Sequence, residues 1–191
     1  MTKAELRKLY LGRRASLSVN EKVEQSQLIA RLFFEKFDLS LVRNLHCFIS
    51  IERFNEVDTS PIFKEVWDVF PSIRTSAPRL DREAGELDHC AYTLETSLIE
   101  NAWGIREPVS EKSVDPVEID LVIVPLLCFD ERGYRVGYGK GFYDKFLATC
   151  RPDCSKVGLS FFPPLEGIDD TDQYDVCLDQ CVTPETVYDF R

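Results

Sequence analysis

The sequence predicts an α/β fold: a three-layer sandwich in which helices flank a mainly parallel central sheet. Three observations predict it. A continuous β-branched and apolar run, Leu121-Val122-Ile123-Val124, ends at Pro125 and has the composition of a strand covered on both faces. Helical and extended patterns alternate along the chain, and a glycine-rich loop leading into a helical stripe follows the apolar run. Finally, 191 residues is the size of one ordinary domain, able to bury roughly 70% of the surface its unfolded chain exposes, so one domain over residues 1–191 is expected.

The elements follow in order. Two capping boxes, Thr2-x-x-Glu5 and Ser18-x-x-Glu21, each pair a hydroxyl with a carboxylate three residues on and mark two helix starts. In the second helix Leu28, Leu32 and Ile29, Phe33, Phe37 recur at helical spacing, so one face lies on the core. Residues 45–51 read as a strand. Ser60-Pro61 is a cap and first-turn pair ahead of the stripe Ile62, Phe63, Val66, Trp67, Phe70, which predicts a helix over residues 60–70. Strands are expected at 73–77 and 87–92, separated by the polar, turn-like Asp81-Arg82-Glu83-Ala84-Gly85. Residues 104–116 read as a polar, Pro-bounded loop and 121–124 as the central strand. A helix over 140–150, a strand at 156–160 and an acidic, loop-rich tail complete the chain.

Hydrophobic residues at 44% and charged residues at 29%, with 13 Phe, 7 Tyr and 2 Trp, exclude a disordered or fibrous chain. The net charge of −10 argues against a nucleic-acid or anionic-membrane partner, both of which need a basic footprint, so any anion must be held locally. The first fourteen residues contain no apolar core segment, and the longest apolar run, 121–129, is about half a bilayer span and broken by Pro125. Neither a signal peptide nor a membrane span is expected, and the seven cysteines, an odd number, are expected as reduced thiols in a cytoplasmic protein. Cys150-x-x-x-Cys154 and Cys177-x-x-x-Cys181, with His46-Cys47 and His89-Cys90, have the residue types of a zinc site. Neighbours on a strand point to opposite faces, however, and the pairs lie in different elements, so free thiols are the expectation.

Chemistry concentrates in Arg135-Val136-Gly137-Tyr138-Gly139-Lys140-Gly141-Phe142-Tyr143-Asp144. The three glycines let backbone amides approach an anion, the helix start adds unpaired N–H groups, and phosphate is the natural occupant. Neither a Walker A loop nor Gly-x-Gly-x-x-Gly fits the spacing. Lys140 and Asp144, four apart, would share a helix face away from the buried stripe Phe142, Tyr143, Phe146, Leu147, Cys150, so Asp144 is expected to be replaceable without harm to the fold. A cation beside phosphate and a carboxylate one turn deeper suit a nucleotide with Mg²⁺; an ordinary strand-to-helix turn with a surface ion pair has the same pattern. Residues 1–15 carry five basic and one acidic side chain, which suits binding of a phosphate-bearing ligand or a solvated basic face. Glu56 could accept N–H bonds from a ligand or be a plain loop carboxylate, and Asp175, in a tail with eight acidic side chains, could be a ligand or solubilising.

The loop, preceded by Val124-Pro125-Leu126-Leu127-Cys128-Phe129-Asp130, closely resembles the signature of the 5-formyltetrahydrofolate cyclo-ligase (5,10-methenyltetrahydrofolate synthetase) family. Lys3-x-x-x-Arg7, Glu56-Val57-Asp58-Thr59, Pro78-Arg79 and Trp103-Gly104-Ile105-x-Glu107-Pro108 resemble its other motifs in order, over residues 3–184. The resemblance implies that Lys3, Arg7 and the loop residues Arg135, Val136, Gly137, Tyr138, Gly139, Lys140, Gly141, Phe142 and Tyr143 hold ATP. Asp144 and Asp175 would hold Mg²⁺. Ile51, Glu56, Tyr138, Gly139, Lys140, Gly141 and Phe142 would line the folate site, with Lys140 and Arg135 catalytic and Tyr138, Phe142 and Trp103 packing flat rings. Implied partners are a reduced folate and ATP, with a monomer as the expected state. The chain departs from the family at Phe161-Phe162-Pro163-Pro164-Leu165, where many members have Gln, which bears on the pocket wall. The implied reaction is ATP- and Mg²⁺-dependent closure of 5-formyltetrahydrofolate to the 5,10-methenyl form. A phosphosugar isomerase or CoA-transferase-like enzyme, or a non-catalytic folate or nucleotide binder, is the alternative on the same sheet and loop.

Overall fold

The computed structural model describes residues 1–81 and 84–191; of the expected turn 81–85, Arg82 and Glu83 lie outside the described residues. Both capping boxes close. Thr2 and Glu5 cap α1 (Lys3–Ala15), and Ser18 and Glu21 cap α2 (Val19–Lys36), each carboxylate accepting the cap residue's own amide. β1 (Asn44–Cys47) is shorter than residues 45–51 suggest, because the chain leaves the sheet for a 3₁₀ turn at Glu52–Phe54, ended by Asn55 at φ 45°. In α3 (Ser60–Val69) the cap position belongs to Thr59, not Ser60. The Thr59 hydroxyl donates to the Phe48 carbonyl at 2.7 Å instead of capping, and Asp58 accepts the Ser60 amide at 3.0 Å.

The strands β2 (Arg74–Asp81) and β3 (Glu86–Ala91) follow. A short hairpin joins β4 (Leu98–Glu100) to β5 (Arg106–Pro108), and its second strand falls within the expected loop 104–116. Then come β6 (Leu121–Val124), a second hairpin of β7 (Cys128–Phe129) and β8 (Arg135–Val136), α4 (Phe142–Thr149), and β9 (Ser155–Leu159). The tail supplies β10 (Gln180–Val182) and β11 (Val187–Asp189), which its polar composition conceals.

One seven-stranded sheet has the order β11-β10-β9-β6-β1-β2-β3, with β6 at its centre. The five inner strands are parallel and the two edge strands antiparallel. The pleat sorts the side chains: Leu45, Cys47, Leu121, Ile123, Val157 and Leu159 meet α2 and α3 on one face, while Val122 and Val124 meet Phe146 and Leu147 of α4 on the other. This is the three-layer arrangement that the pattern predicts. The same alternation separates His46 from Cys47: His46 turns to the α4 side, where its Nε2 lies 3.2 Å from Nδ1 of His89 and its ring 4.7 Å from that of Phe146. Burial depresses both imidazoles, His89 to about 4. Among the described residues no group of three or more His, Cys, Asp or Glu side chains is arranged to hold a metal, and no helix is long and apolar enough to cross a membrane.

α1 lies apart from the main layers. Leu6 and Tyr10 pack against Leu127, Cys128 and Val136, so the helix covers the β7–β8 hairpin rather than the sheet. That placement brings its N-terminal half to the carboxyl ends of β1, β2 and β6.

Candidate active site

A cavity of about 940 Å³ opens at those strand ends, where open α/β sheets bind ligands. Phe48, Ile49 and Ile51 follow β1 into its wall, Pro125 follows β6, and Pro78 and Leu80 come from the last half of β2. The glycine loop between β8 and α4 forms another side. Of the sequence-predicted residues, Lys3, Arg7, Ile51, Glu56, Arg135, Gly137, Tyr138, Gly139, Lys140, Gly141, Phe142, Tyr143, Asp144 and Asp175 all line this one cavity. Val136 does not: it is buried behind the loop between Leu6, Tyr10 and Leu127, and its carbonyl accepts the Leu127 amide at 2.7 Å. Trp103, 49% exposed, stands at the rim with Ile105, whereas residues 161–165 are absent from the wall and Phe162 packs on Tyr10 at 5.3 Å.

The loop's glycines are not equivalent. Gly139 has φ +88°, and a Cβ there would sit 3.0 Å from the Arg7 guanidinium carbon; Gly141, at φ +69°, occupies the cap position of α4. Only glycine adopts both conformations at low cost. Arg7 is locked over the loop by a 2.9 Å bond from Nε to the Gly137 carbonyl, so the loop and the N-terminal helix form one unit. Because Gly141 is the cap, Lys140 precedes the helix, and the expected Lys140–Asp144 face does not form. Lys140 is exposed and has no ion-pair or hydrogen-bond partner among the described residues.

Asp144 pairs instead with Arg135 at 2.8 Å and accepts the Val176 amide at 3.2 Å. The Arg135 side chain is only 4% exposed and also donates to the Val176 carbonyl, so this pair fastens the tail to the start of α4. Burial lowers the Arg135 pKa, and Asp144 opposes that shift. Lys3 Nζ lies 2.6 Å from Asp175 Oδ1 and 3.8 Å from Asp172. Two carboxylates, one from α4 and one from the tail, thus face the cavity beside two cations, and their hard oxygens suit Mg²⁺.

On another part of the cavity wall, Glu56 is 4% exposed and accepts the Tyr138 hydroxyl at 2.6 Å and the Ile51 amide at 2.7 Å. Burial raises the Glu56 pKa; the Arg14 charge, the Tyr138 hydroxyl and the Ile51 amide oppose the rise. Tyr138 stacks on Phe54 with ring centroids 5.0 Å apart. The rest of that motif is structural: Val57 is buried and Asp58 serves α3. Likewise Arg79 pairs with Asp88 at 2.9 Å, whereas Glu107, which accepts the Leu80 amide and the Asn101 side chain, also lines the cavity.

The positive charge of α1 divides by helix face. Lys8 and Arg13 are exposed, while Lys3, Arg7 and Arg14 turn inward. Arg14, buried just behind the cavity wall, is not among the residues that the sequence motifs single out. Its seven-residue spacing from Arg7, which places the two on one helix face, is the signal that could have found it.

The 5-formyltetrahydrofolate cyclo-ligase family's sequence profile matches residues 1–184. The 5-formyltetrahydrofolate cyclo-ligase of Escherichia coli K12 is 29% identical over 182 residues, covering 93% of this chain and 98% of that protein. The mouse 5-formyltetrahydrofolate cyclo-ligase is 30% identical over 143 residues, 71% of this chain and 68% of that one. Among solved structures, Aquifex aeolicus 5,10-methenyltetrahydrofolate synthetase superposes with a TM-score of 0.79 at 29% identity, covering 100% of this chain and 94% of that one. With a match over nearly all of its length and the same fold in a solved relative, the chain belongs to the 5-formyltetrahydrofolate cyclo-ligase family, a family of ligases.

Proposed function

We propose that the protein closes the ring of 5-formyltetrahydrofolate to 5,10-methenyltetrahydrofolate at the expense of ATP. The observation that carries this reading is the convergence on one cavity of a cation-rich glycine loop and a buried carboxylate flanked by aromatic rings. The formyl oxygen, a poor leaving group, attacks the γ-phosphorus and releases ADP, leaving an iminium phosphate. N10 then adds to the activated carbon, its proton is lost, and phosphate departs to leave the methenyl bridge. Catalysis is positioning and charge neutralisation, with no protein nucleophile. Lys140, without a competing carboxylate, supplies its charge to the transferring phosphoryl group.

Asp144 and Asp175 would hold Mg²⁺, which when bound supplies charge neutralisation to the nucleotide phosphates. Each of these carboxylates already neutralises a cation assigned to the nucleotide, in the pairs Arg135–Asp144 and Lys3–Asp175. Nucleotide and metal entering together give all four side chains replacement partners; either alone strands one charge of each pair, which favours joint binding. Lys3→Ala/Arg7→Ala is therefore expected to raise the KM for ATP by about tenfold or more while shifting the folate KM by less than about threefold. Equal shifts in the two titrations would show that these residues support the loop as a whole rather than the nucleotide in particular.

The deciding assay is absorbance of the methenyl product from 5-formyltetrahydrofolate with and without Mg-ATP. Product with one ADP released per turnover is expected. Absence of product in the presence of Mg-ATP would overturn this activity, and binding of the substrates without turnover would mark a non-catalytic protein.

A further inference from the structure

We propose that Arg14, remote from the glycine loop in sequence, is a positioning residue for the folate: it fixes Tyr138, and through Tyr138 the buried Glu56 carboxylate, in the geometry that receives the pterin. This rests on the assignment of Glu56 to the folate site made above.

Arg14 sits near the end of α1 and is 2% exposed. A buried guanidinium needs acceptors, and two segments of the chain supply them to its terminal nitrogens, while Nε has no hydrogen-bond partner among the described residues. Its Nη1 donates to the Tyr138 hydroxyl at 3.0 Å, its Nη2 donates to the Leu126 carbonyl just beyond β6, and its own carbonyl accepts the Asn55 side chain at 3.0 Å. The first bond dictates the proton order of the relay. Because Arg14 can only donate, the Tyr138 oxygen must accept from it, and the Tyr138 proton is directed to Glu56 at 2.6 Å. Tyr138 Oη, Glu56 Oε1 and, through the Ile51 amide, Glu56 Oε2 are then each oriented by a specific donor. Each carboxylate oxygen keeps an acceptor position, a pair able to receive two adjacent N–H donors such as the ring N–H and exocyclic amine of a 2-amino-4-oxopterin.

That recognition requires Glu56 to be ionised while almost completely buried. Arg14 supplies the opposing charge from α1, and Tyr138 from the loop supplies the neutral donor; Tyr143 of α4 also faces the carboxylate, and Arg53 of the 3₁₀ turn lines the same cavity. Removal of Arg14 takes away the positive charge that holds the Glu56 pKa down, so Glu56 would protonate at higher pH, and one lone pair needed by the pterin would become a donor. Arg14 itself does not line the cavity, so its effect passes through Tyr138 and Glu56.

The test compares Arg14→Met, Arg14→Lys, Tyr138→Phe and Glu56→Gln, with folding checked by melting temperature. Arg14→Met is expected to raise the folate KM by at least about tenfold with the ATP KM within about twofold, and to move the acid limb of the folate KM profile to higher pH. Arg14→Lys, which keeps the charge, restores the acid limb. Should Arg14→Met fail to fold, Tyr138→Phe cuts the relay at its middle and is expected to move the same limb in the same direction. A folded Arg14→Met with an unchanged folate KM and acid limb, or a Tyr138→Phe limb that does not move, overturns the positioning role. A folate KM unaffected by Glu56→Gln overturns the folate assignment of Glu56 and the proposal with it; a raised KM in Glu56→Gln beside a silent Arg14→Met overturns the positioning role alone.

Discussion

Lys140→Met is expected to lower turnover by about a hundredfold while leaving the melting temperature unchanged, because in the proposed reaction the side chain contributes charge to the transferring phosphoryl group and almost nothing to the fold. The residue is exposed, lies on the loop between Gly139 and Gly141, and has no partner among the described residues. Substitution at such a position usually changes stability by under about 0.5 kcal/mol. A charge aimed at a transferring phosphoryl group in a partly enclosed cavity is worth far more than one in water, and loss of one such donor typically costs about 10²–10³ in rate. Steady-state formation of the methenyl product, with a thermal melt of the same preparation, checks both halves. Turnover within about twofold of the parent would remove Lys140 from the catalytic role.

Asp144→Asn is expected to have a large effect of the opposite character, on folding as well as on activity. Helix-face spacing makes Asp144 a harmless outward carboxylate. In the folded chain, however, it is the counter-charge for Arg135, whose side chain is almost wholly buried, and it accepts the Val176 amide. Asparagine keeps an acceptor but takes away the guanidinium's ion-pair partner, leaving only the more distant Asp175 charge. Removing one member of a buried pair costs about 3–5 kcal/mol, and because Asp144 is partly hydrated a loss of about 2 kcal/mol is expected. For a chain of this length that is a fall of about 4–8 °C in melting temperature. The Mg²⁺ concentration needed for half-maximal activity should rise as well. Adding Arg135→Met to Asp144→Asn should recover part of the lost stability, since no buried charge then lacks its partner. A single variant that melts with the parent protein would show that the pair contributes little to the fold.

Much of the chain was legible because its signals are local. The capping boxes at Thr2 and Ser18 formed as their spacing requires, and the run 121–124 became the centre of the sheet because a strand with four consecutive apolar residues needs cover on both faces. The hairpins β4–β5 and β7–β8 and the strands β10 and β11 were not legible. Each has two or three residues, too few for a period of two to appear, and they exist because a neighbouring strand supplies the hydrogen bonds. Ser60 looked like the cap of α3, yet Thr59 took the position and spent its hydroxyl on Phe48, a partner that only the return of the chain to β1 provides.

The sequence by itself determined the α/β class, the order of its main elements, the glycine loop and, through its ordered motifs, the family. These depend on residues near one another in the chain, where spacing translates directly into geometry. Tertiary structure decided how the charges are used: Lys140 left without a partner, Asp144 given to Arg135, Lys3 to Asp175, and Arg14 buried against Tyr138. A charged side chain can pair with any opposite charge that folding brings within about 4 Å, and the separations here, up to 172 residues, leave no periodic trace in the sequence.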